Sequence, residues 1–305
     1  MQRFERILFV NDTGVNTEPA FRRAVRLAVA NGAQLTVIDV GKELPRSMDN
    51  LQKAFNKINE NQRHELADMA RADGIEIGMR APVGIVFIEV IKEVMQGGHD
   101  LVIKSAEGRG GLSGMLFGSV DLHLLRKCPC PVWIIKPSKR KHFARILAAV
   151  DPDPSEPDNA GLNKQILELA SSLAAREHSE LHILHTWYFT YESTLRSGRF
   201  KVSQTEVDRM VRDTRKRHKL WLDDLLARHD FQNLTVKVHL LKGDPGDLIP
   251  VTARKKRVEL IVMGTVARTG IPGFIIGNSA EKALNAVDCS VLAVKPGSFV
   301  TPVEN

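Results

Sequence analysis

Cys130-Pro131-Val132-Trp133-Ile134-Ile135-Lys136-Pro137 returns later in the chain as Cys289-Ser290-Val291-Leu292-Ala293-Val294-Lys295-Pro296. Each copy is a short apolar run bounded by a lysine and a proline, the pattern of a buried strand that closes a domain. Working outward, Asp100-Leu101-Val102-Ile103-Lys104-Ser105 returns as Glu259-Leu260-Ile261-Val262-Met263-Gly264, and Gly118 returns as Gly277, all at one offset of 159 residues. At the front, Ile7-Leu8 and Asp12 match Ile146-Leu147 and Asp151 at an offset of 139. The chain is a duplication. About twenty extra residues fall between these blocks in the second half, and the polar, aromatic stretch 188–203 is expected to hold them.

Both halves share one order of elements. In the first, strands are expected at Ile7–Val10, Leu35–Val40, Glu76–Arg80, Leu101–Ile103 and Val132–Ile135. A helix between the first two carries Phe21, Ala24, Val25 and Ala28 on one face, with Gly32 placed to end it. A long helix over roughly 49–72 is expected to bury Leu51, Phe55, Ile58 and Leu66, and a third helix to carry Ile88, Ile91 and Val94. In the second half the expected strands are Ile146–Val150, Leu181–His185, Thr235–Leu240, Leu260–Met263 and Val291–Val294. Strands alternating with helices imply an α/β fold: two tandem domains, 1–138 and 143–305, each a five-stranded parallel sheet with helices on both faces. A short basic linker, 137–142, joins them.

No apolar run is long enough to span a bilayer, and the first residues run straight into a strand without a signal-peptide pattern. Three cysteines cannot build a disulfide framework, so a reducing compartment is expected. The net charge of +7 favours anions without selecting one. Dinucleotide-fold G-x-G-x-x-G, Walker G-x4-G-K-[ST], G-x-S-x-G and H-E-x-x-H patterns are all missing, so hydride transfer, P-loop hydrolysis, esterase and zinc-protease chemistry lack their usual residues.

One glycine-rich region per half remains, after the fourth strand. In the first half it spans 105–119, Ser-Ala-Glu-Gly-Arg-Gly-Gly-Leu-Ser-Gly-Met-Leu-Phe-Gly-Ser. Gly108, Gly110 and Gly111 allow backbone N–H groups to face an anion without a Cβ in the way. Gly118-Ser119 then opens a helix, with Ser119 as the expected N-cap and Arg109 as added positive charge. The position, past the carboxyl ends of the strands, is where open α/β sheets take ligands. The same glycines also suit a tight loop with a capped helix and no ligand.

These residues resemble the universal stress protein family over essentially the whole chain, twice, and several blocks resemble its tandem-domain type. In the nucleotide-binding branch of that family the loop reads G-x2-G-x9-G-[ST], with an aspartate after strand one and an apolar residue after strand two near the adenine. The resemblance therefore implies a cytoplasmic stress-response protein with an adenine-nucleotide site, ATP with magnesium, at Asp12, Val40, Ser105, Gly108, Arg109, Gly118 and Ser119. Ser105 departs from the pattern, which has glycine there. A degenerate second site is implied at Asp151, Gly264, Ala267, Gly277 and Asn278, where Ala267 and Asn278 are departures. The family also implies pairing through the last strands, here between the two halves, and a homodimer of whole chains. Three functions stay open: a ligand-binding protein, a ligand-free interaction scaffold, and a weak ATPase. No general base or metal-binding carboxylate is evident beside the loop.

The remaining features read as structural. Cys128-Pro129-Cys130 lacks a second nearby pair, and Cys130 is expected to start a buried strand. His182 and His185 sit three apart in a strand and so face opposite sides, which argues against a shared metal. The basic run at 209–219 is expected to be the wet face of a helix whose apolar face is Val207, Met210, Val211, Trp221, Leu222 and Leu225. The linker lacks interleaved aromatics, so no nucleic-acid partner is expected, and none in a membrane. Trp187, Tyr188, Phe189 and Tyr191 are expected to pack.

Overall fold

The computed structural model describes residues 4–12, 14–107, 117–138, 140, 142–156, 158–265 and 277–304. The chain divides into two compact units. The first joins Met1–Lys141 to Thr265–Ile276 and Asp288–Asn305; the second is His142–Gly264 with Gly277–Val287.

In the first unit the strands β1 (Arg6–Asn11), β2 (Gln34–Asp39), β3 (Ile77–Arg80), β4 (Leu101–Ser105) and β5 (Val132–Ile135) alternate with helices α1 (Glu18–Asn31), α2 (Asp49–Ala72), α3 (Val86–Gly97) and α4 (Ser119–Lys127). The strands lie in the order β3-β2-β1-β4-β5 and all pair in parallel. Ile7, Leu8, Phe9 and Val10 are each 0% exposed. Alternate residues of a strand point to opposite faces, so both faces of this sheet are covered. Phe9 meets Phe21 of α1 edge-to-face, with ring centroids 5.1 Å apart. Gly32 ends α1 at φ 65°, and its N–H reaches the Ala28 and Val29 carbonyls.

In the second repeat the strands β6 (Arg145–Ala149), β7 (Glu180–Trp187), β8 (Val236–Lys242), β9 (Leu260–Gly264) and β10 (Ser290–Val294) alternate with α5 (Asn159–Glu177), α6 (Glu192–Arg196), α7 (Gln204–Ala227), α8 (Pro245–Lys256) and α9 (Asn278–Leu284). Within the second unit the order is β9-β6-β7-β8, again parallel. The extra residues lie between β7 and α7 and contain α6, and Ser203 caps α7 by accepting from the Glu206 N–H.

The repeat is continuous in sequence but the compact unit is not. β10 belongs to the first unit, where it adds antiparallel to β5 with Val291, Leu292 and Ala293 opposite Ile134, Trp133 and Val132. Without it β5 would be an edge strand with a row of unpaired backbone groups.

Two sequence expectations need correction. Leu66 is buried, but Leu51, Phe55 and Ile58 on α2 are 46%, 45% and 55% exposed. Their spacing marks one helix face, and periodicity alone does not say whether that face is covered. The aromatic run divides: Trp187 ends β7 and is buried, whereas Tyr188 and Tyr191 are exposed. On α7, Val207 and Leu222 are buried and the basic residues face solvent, as the pattern indicates.

Candidate functional site

The carboxyl ends of β1 and β4 meet the start of α4, and the center of the site is a lysine. Lys104 is on β4, 0% exposed, in a strand otherwise made of apolar residues and Ser105. Its Nζ lies 3.0 Å from Asp121 Oδ1, 3.2 Å from Asp12 Oδ2 and 3.4 Å from Glu107 Oε1, and donates to the Ser105 carbonyl at 3.1 Å. Burial alone would lower the Lys104 ammonium, but Asp121, Asp12 and Glu107 outweigh it and hold it above its ordinary value. Burial also pushes the Glu107 carboxyl up, against the pull of Lys104.

Asp121 is also 0% exposed and has a second task. Its Oδ2 accepts from the Glu107 N–H at 2.9 Å and from the Gly118 N–H at 3.1 Å. Gly118 is the N-cap of α4 and Ser119 its first residue, which corrects the expectation that Ser119 caps the helix. Thus a carboxylate of the protein itself sits at the positive end of α4. A Cβ on Gly118 would fall 1.8 Å from Glu107 Oε2 and 2.5 Å from Glu107 Cβ. The glycine is required here by the Glu107 side chain lying against it.

The other N-terminal candidates surround this group. Asp12 turns the chain after β1, its Oδ1 accepting from the Gly14 N–H at 3.1 Å. The Ser105 hydroxyl donates to the Asn16 carbonyl at 3.2 Å, so the serine that departs from the glycine pattern ties β4 to the loop after β1. Val40 follows β2 and is half-buried. Asp39 at the end of β2 is raised by burial and held by Arg63 Nη1 at 3.2 Å. Gly108 and Arg109 lie outside the described residues.

The second half carries a different arrangement at the matching positions. Where the first has Lys104 and Asp121, the second has Met263 and Ala280, 3% and 8% exposed. A buried ion pair in one repeat corresponds to apolar packing in the other. The Asp151 backbone is held by Asn163, with N–H to Oδ1 at 2.9 Å and Nδ2 to the carbonyl at 2.7 Å. A Cβ on Gly264 would fall 2.8 Å from Leu162 Cδ2, so this glycine serves the close approach of α5 to β9. Gly277 is the N-cap of α9 and Asn278 its first residue, so Asn278 does not cap as expected; Ala267 lies outside the described residues.

The histidines separate as the strand period requires, and each finds a partner the sequence did not identify. His182 Nδ1 is 2.8 Å from His239 Nε2, while Glu180 Oε1 lies 2.6 Å from His182 Nε2. His185 Nε2 is 2.9 Å from His218 Nδ1. Burial lowers both His182 and His239. Among the described residues no group of three or more His, Cys, Asp or Glu side chains is arranged to hold a metal ion.

The chain matches one family model twice, the universal stress protein family, over residues 3–136 and 142–295. It is 31% identical over 318 aligned residues to universal stress protein E of Escherichia coli, covering 100% of this chain and 98% of that protein. It is 26% identical to a universal stress protein E homolog of Haemophilus influenzae, covering 96% and 98%. Among solved structures it resembles a functionally unknown protein from Pseudomonas aeruginosa, at TM-score 0.70 and 25% identity over 96% of this chain and 93% of that one. A universal stress protein from Archaeoglobus fulgidus shares the fold at TM-score 0.62 and 19% identity, covering 95% and 98%.

Proposed function

The chain belongs to the universal stress protein family, with two of its domains in tandem, and from that premise we propose a stress-response protein that works by association rather than turnover, with no ATP at the start of α4. The observation that carries this reading is Asp121. Its carboxylate takes the Glu107 and Gly118 N–H groups at the start of α4, and one ammonium faces three carboxylates, Asp12, Glu107 and Asp121. A triphosphate brought there meets like charge and two amides already in use. The test is to denature the purified chain, assay the supernatant for adenine nucleotides by mass spectrometry, and titrate the native chain with ATP and magnesium in a calorimeter. No nucleotide and no heat are expected. ATP released at one per chain would overturn the reading in favour of a nucleotide-binding protein, and ADP accumulating with time in favour of an ATPase.

The associating surface in this reading is the exposed stripe Leu51, Phe55 and Ile58 on α2, and its occupant is a second copy of the chain. Residues three and four apart on a helix form one continuous strip, the geometry by which two helices meet. Light scattering after size exclusion is expected to give the mass of two chains, and Phe55→Glu the mass of one. A wild-type monomer at tens of micromolar would remove the homodimer from the proposal. The reading places the protein in the cytoplasm, supported by a chain whose three cysteines form no disulfide framework. Among the described residues no helix is long and apolar enough to cross a membrane.

A further inference from the structure

Cys128 and Cys130 lie in the first unit with their sulfurs 3.6 Å apart. Cys128 is fully buried at the C-terminus of α4, and Cys130 is half-buried two residues before β5. The two are distinct in access but adjacent in space. A third residue joins them from the far end of the chain. Lys295 directly follows β10 and is 4% exposed. Continuing the β5–β10 register beyond its paired residues sets Lys295 opposite Cys130. The Lys295 ammonium donates to the Leu125 carbonyl and, at 2.5 Å, to Thr265 Oγ1, both neutral oxygens. The negative charge that bears on it comes from the thiol pair.

We propose that Cys128, Cys130 and Lys295 form a peroxide-reactive dithiol site that closes to an intramolecular disulfide. The Cys128 thiolate attacks one oxygen of hydrogen peroxide; the O–O bond breaks, and hydroxide leaves and takes a proton to become water. Cys128 is then a sulfenic acid. The Cys130 sulfur attacks the Cys128 sulfur, the S–O bond breaks, and the departing hydroxide carries off the Cys130 proton as a second water. Two thiols and one peroxide become one disulfide and two waters.

The surroundings divide these roles between the two sulfurs. Burial alone would raise the Cys128 thiol, but hydrogen bonds from the Cys130 side chain and backbone, with the Lys295 charge, outweigh it and hold Cys128 below its ordinary value. Cys130 is pushed well above its ordinary value by its hydrogen bond to Cys128, by burial, and by the charges of Cys128 and Asp100. In the proposal Cys130 keeps the shared proton, so Cys128 attacks and Cys130 resolves. Burial lowers Lys295 to about 8, and the thiolate opposes that loss. Disulfide closure removes the thiolate and leaves the ammonium beside neutral oxygens at the end of the β5–β10 pairing.

The test is intact-mass spectrometry and thiol titration of the full chain after hydrogen peroxide. The expected result is a mass lower by two hydrogens, two of the three thiols lost, and a Cys128–Cys130 link in the peptide map. Cys289→Ser is expected to react as wild type does, and Cys130→Ser to stop at a Cys128 sulfenate that dimedone traps. Lys295→Met is expected to slow Cys128 oxidation about tenfold at neutral pH by moving its pH profile upward, and Lys295→Arg to restore the rate. The proposal is overturned if both thiols survive, if oxygen adds to Cys289 first, or if the Lys295→Met profile coincides with wild type.

Discussion

Replacing Lys104 by methionine is expected to lower the free energy of unfolding by about 3–5 kcal/mol, read from urea denaturation at neutral pH. The lysine and Asp121 are both 0% exposed, so the carboxylate left behind cannot be hydrated where it stands. Two backbone N–H bonds to its Oδ2 remain, but Oδ1 loses its ammonium at 3.0 Å. Glu107 and Asp12 lose the same counter-charge. The second repeat suggests the compensating change: Met263 and Ala280 occupy the matching positions there. Lys104→Met combined with Asp121→Ala is therefore expected to recover part of the loss, although the Glu107 and Gly118 N–H groups then need water. A Lys104→Met chain as stable as wild type would mean that the carboxylates reach solvent and that the buried cluster is not formed.

The second large effect is expected at Trp133. This side chain is 1% exposed on β5, in register with Ile103 of β4 on one side and Leu292 of β10 on the other. Trp133→Ala is expected to cost about 3–5 kcal/mol, chiefly through the cavity it leaves. Leu292 is 0% exposed and Leu292→Ala is expected to cost about 2–5 kcal/mol. Directly opposed residues in an antiparallel pair share one face, so the two losses should couple by about 0.5–3 kcal/mol in a double-mutant cycle. Strict additivity would argue that β10 does not pair with β5 in solution.

Both effects concern residues that carried ordinary meanings in the sequence. Lys104 reads as the polar end of an apolar strand, and Asp121 as an acidic residue in the first turn of a helix, favourable there by dipole alone. Nothing in their spacing says that they meet in a site closed to water. The glycine-rich loop is legible as a place where backbone can approach an anion. Which acceptor takes the Gly118 amide at its end is a matter of competition, and Asp121 belongs to the helix that starts there. An intramolecular acceptor does not lose translational freedom on binding, whereas a nucleotide does.

The duplication, the α/β alternation and the strands are legible in the residues alone, because burial on both faces requires continuous apolar runs that leave a visible repeat. The wet face of α7 and the opposed directions of His182 and His185 are legible there too, since helical and strand periods are local properties. That Leu51, Phe55 and Ile58 are uncovered, and that the β5–β10 register sets Lys295 opposite Cys130, emerges only from the folded chain. These depend on which surfaces meet across long separations in sequence, and a local pattern records what a residue can bury, not what arrives to bury it.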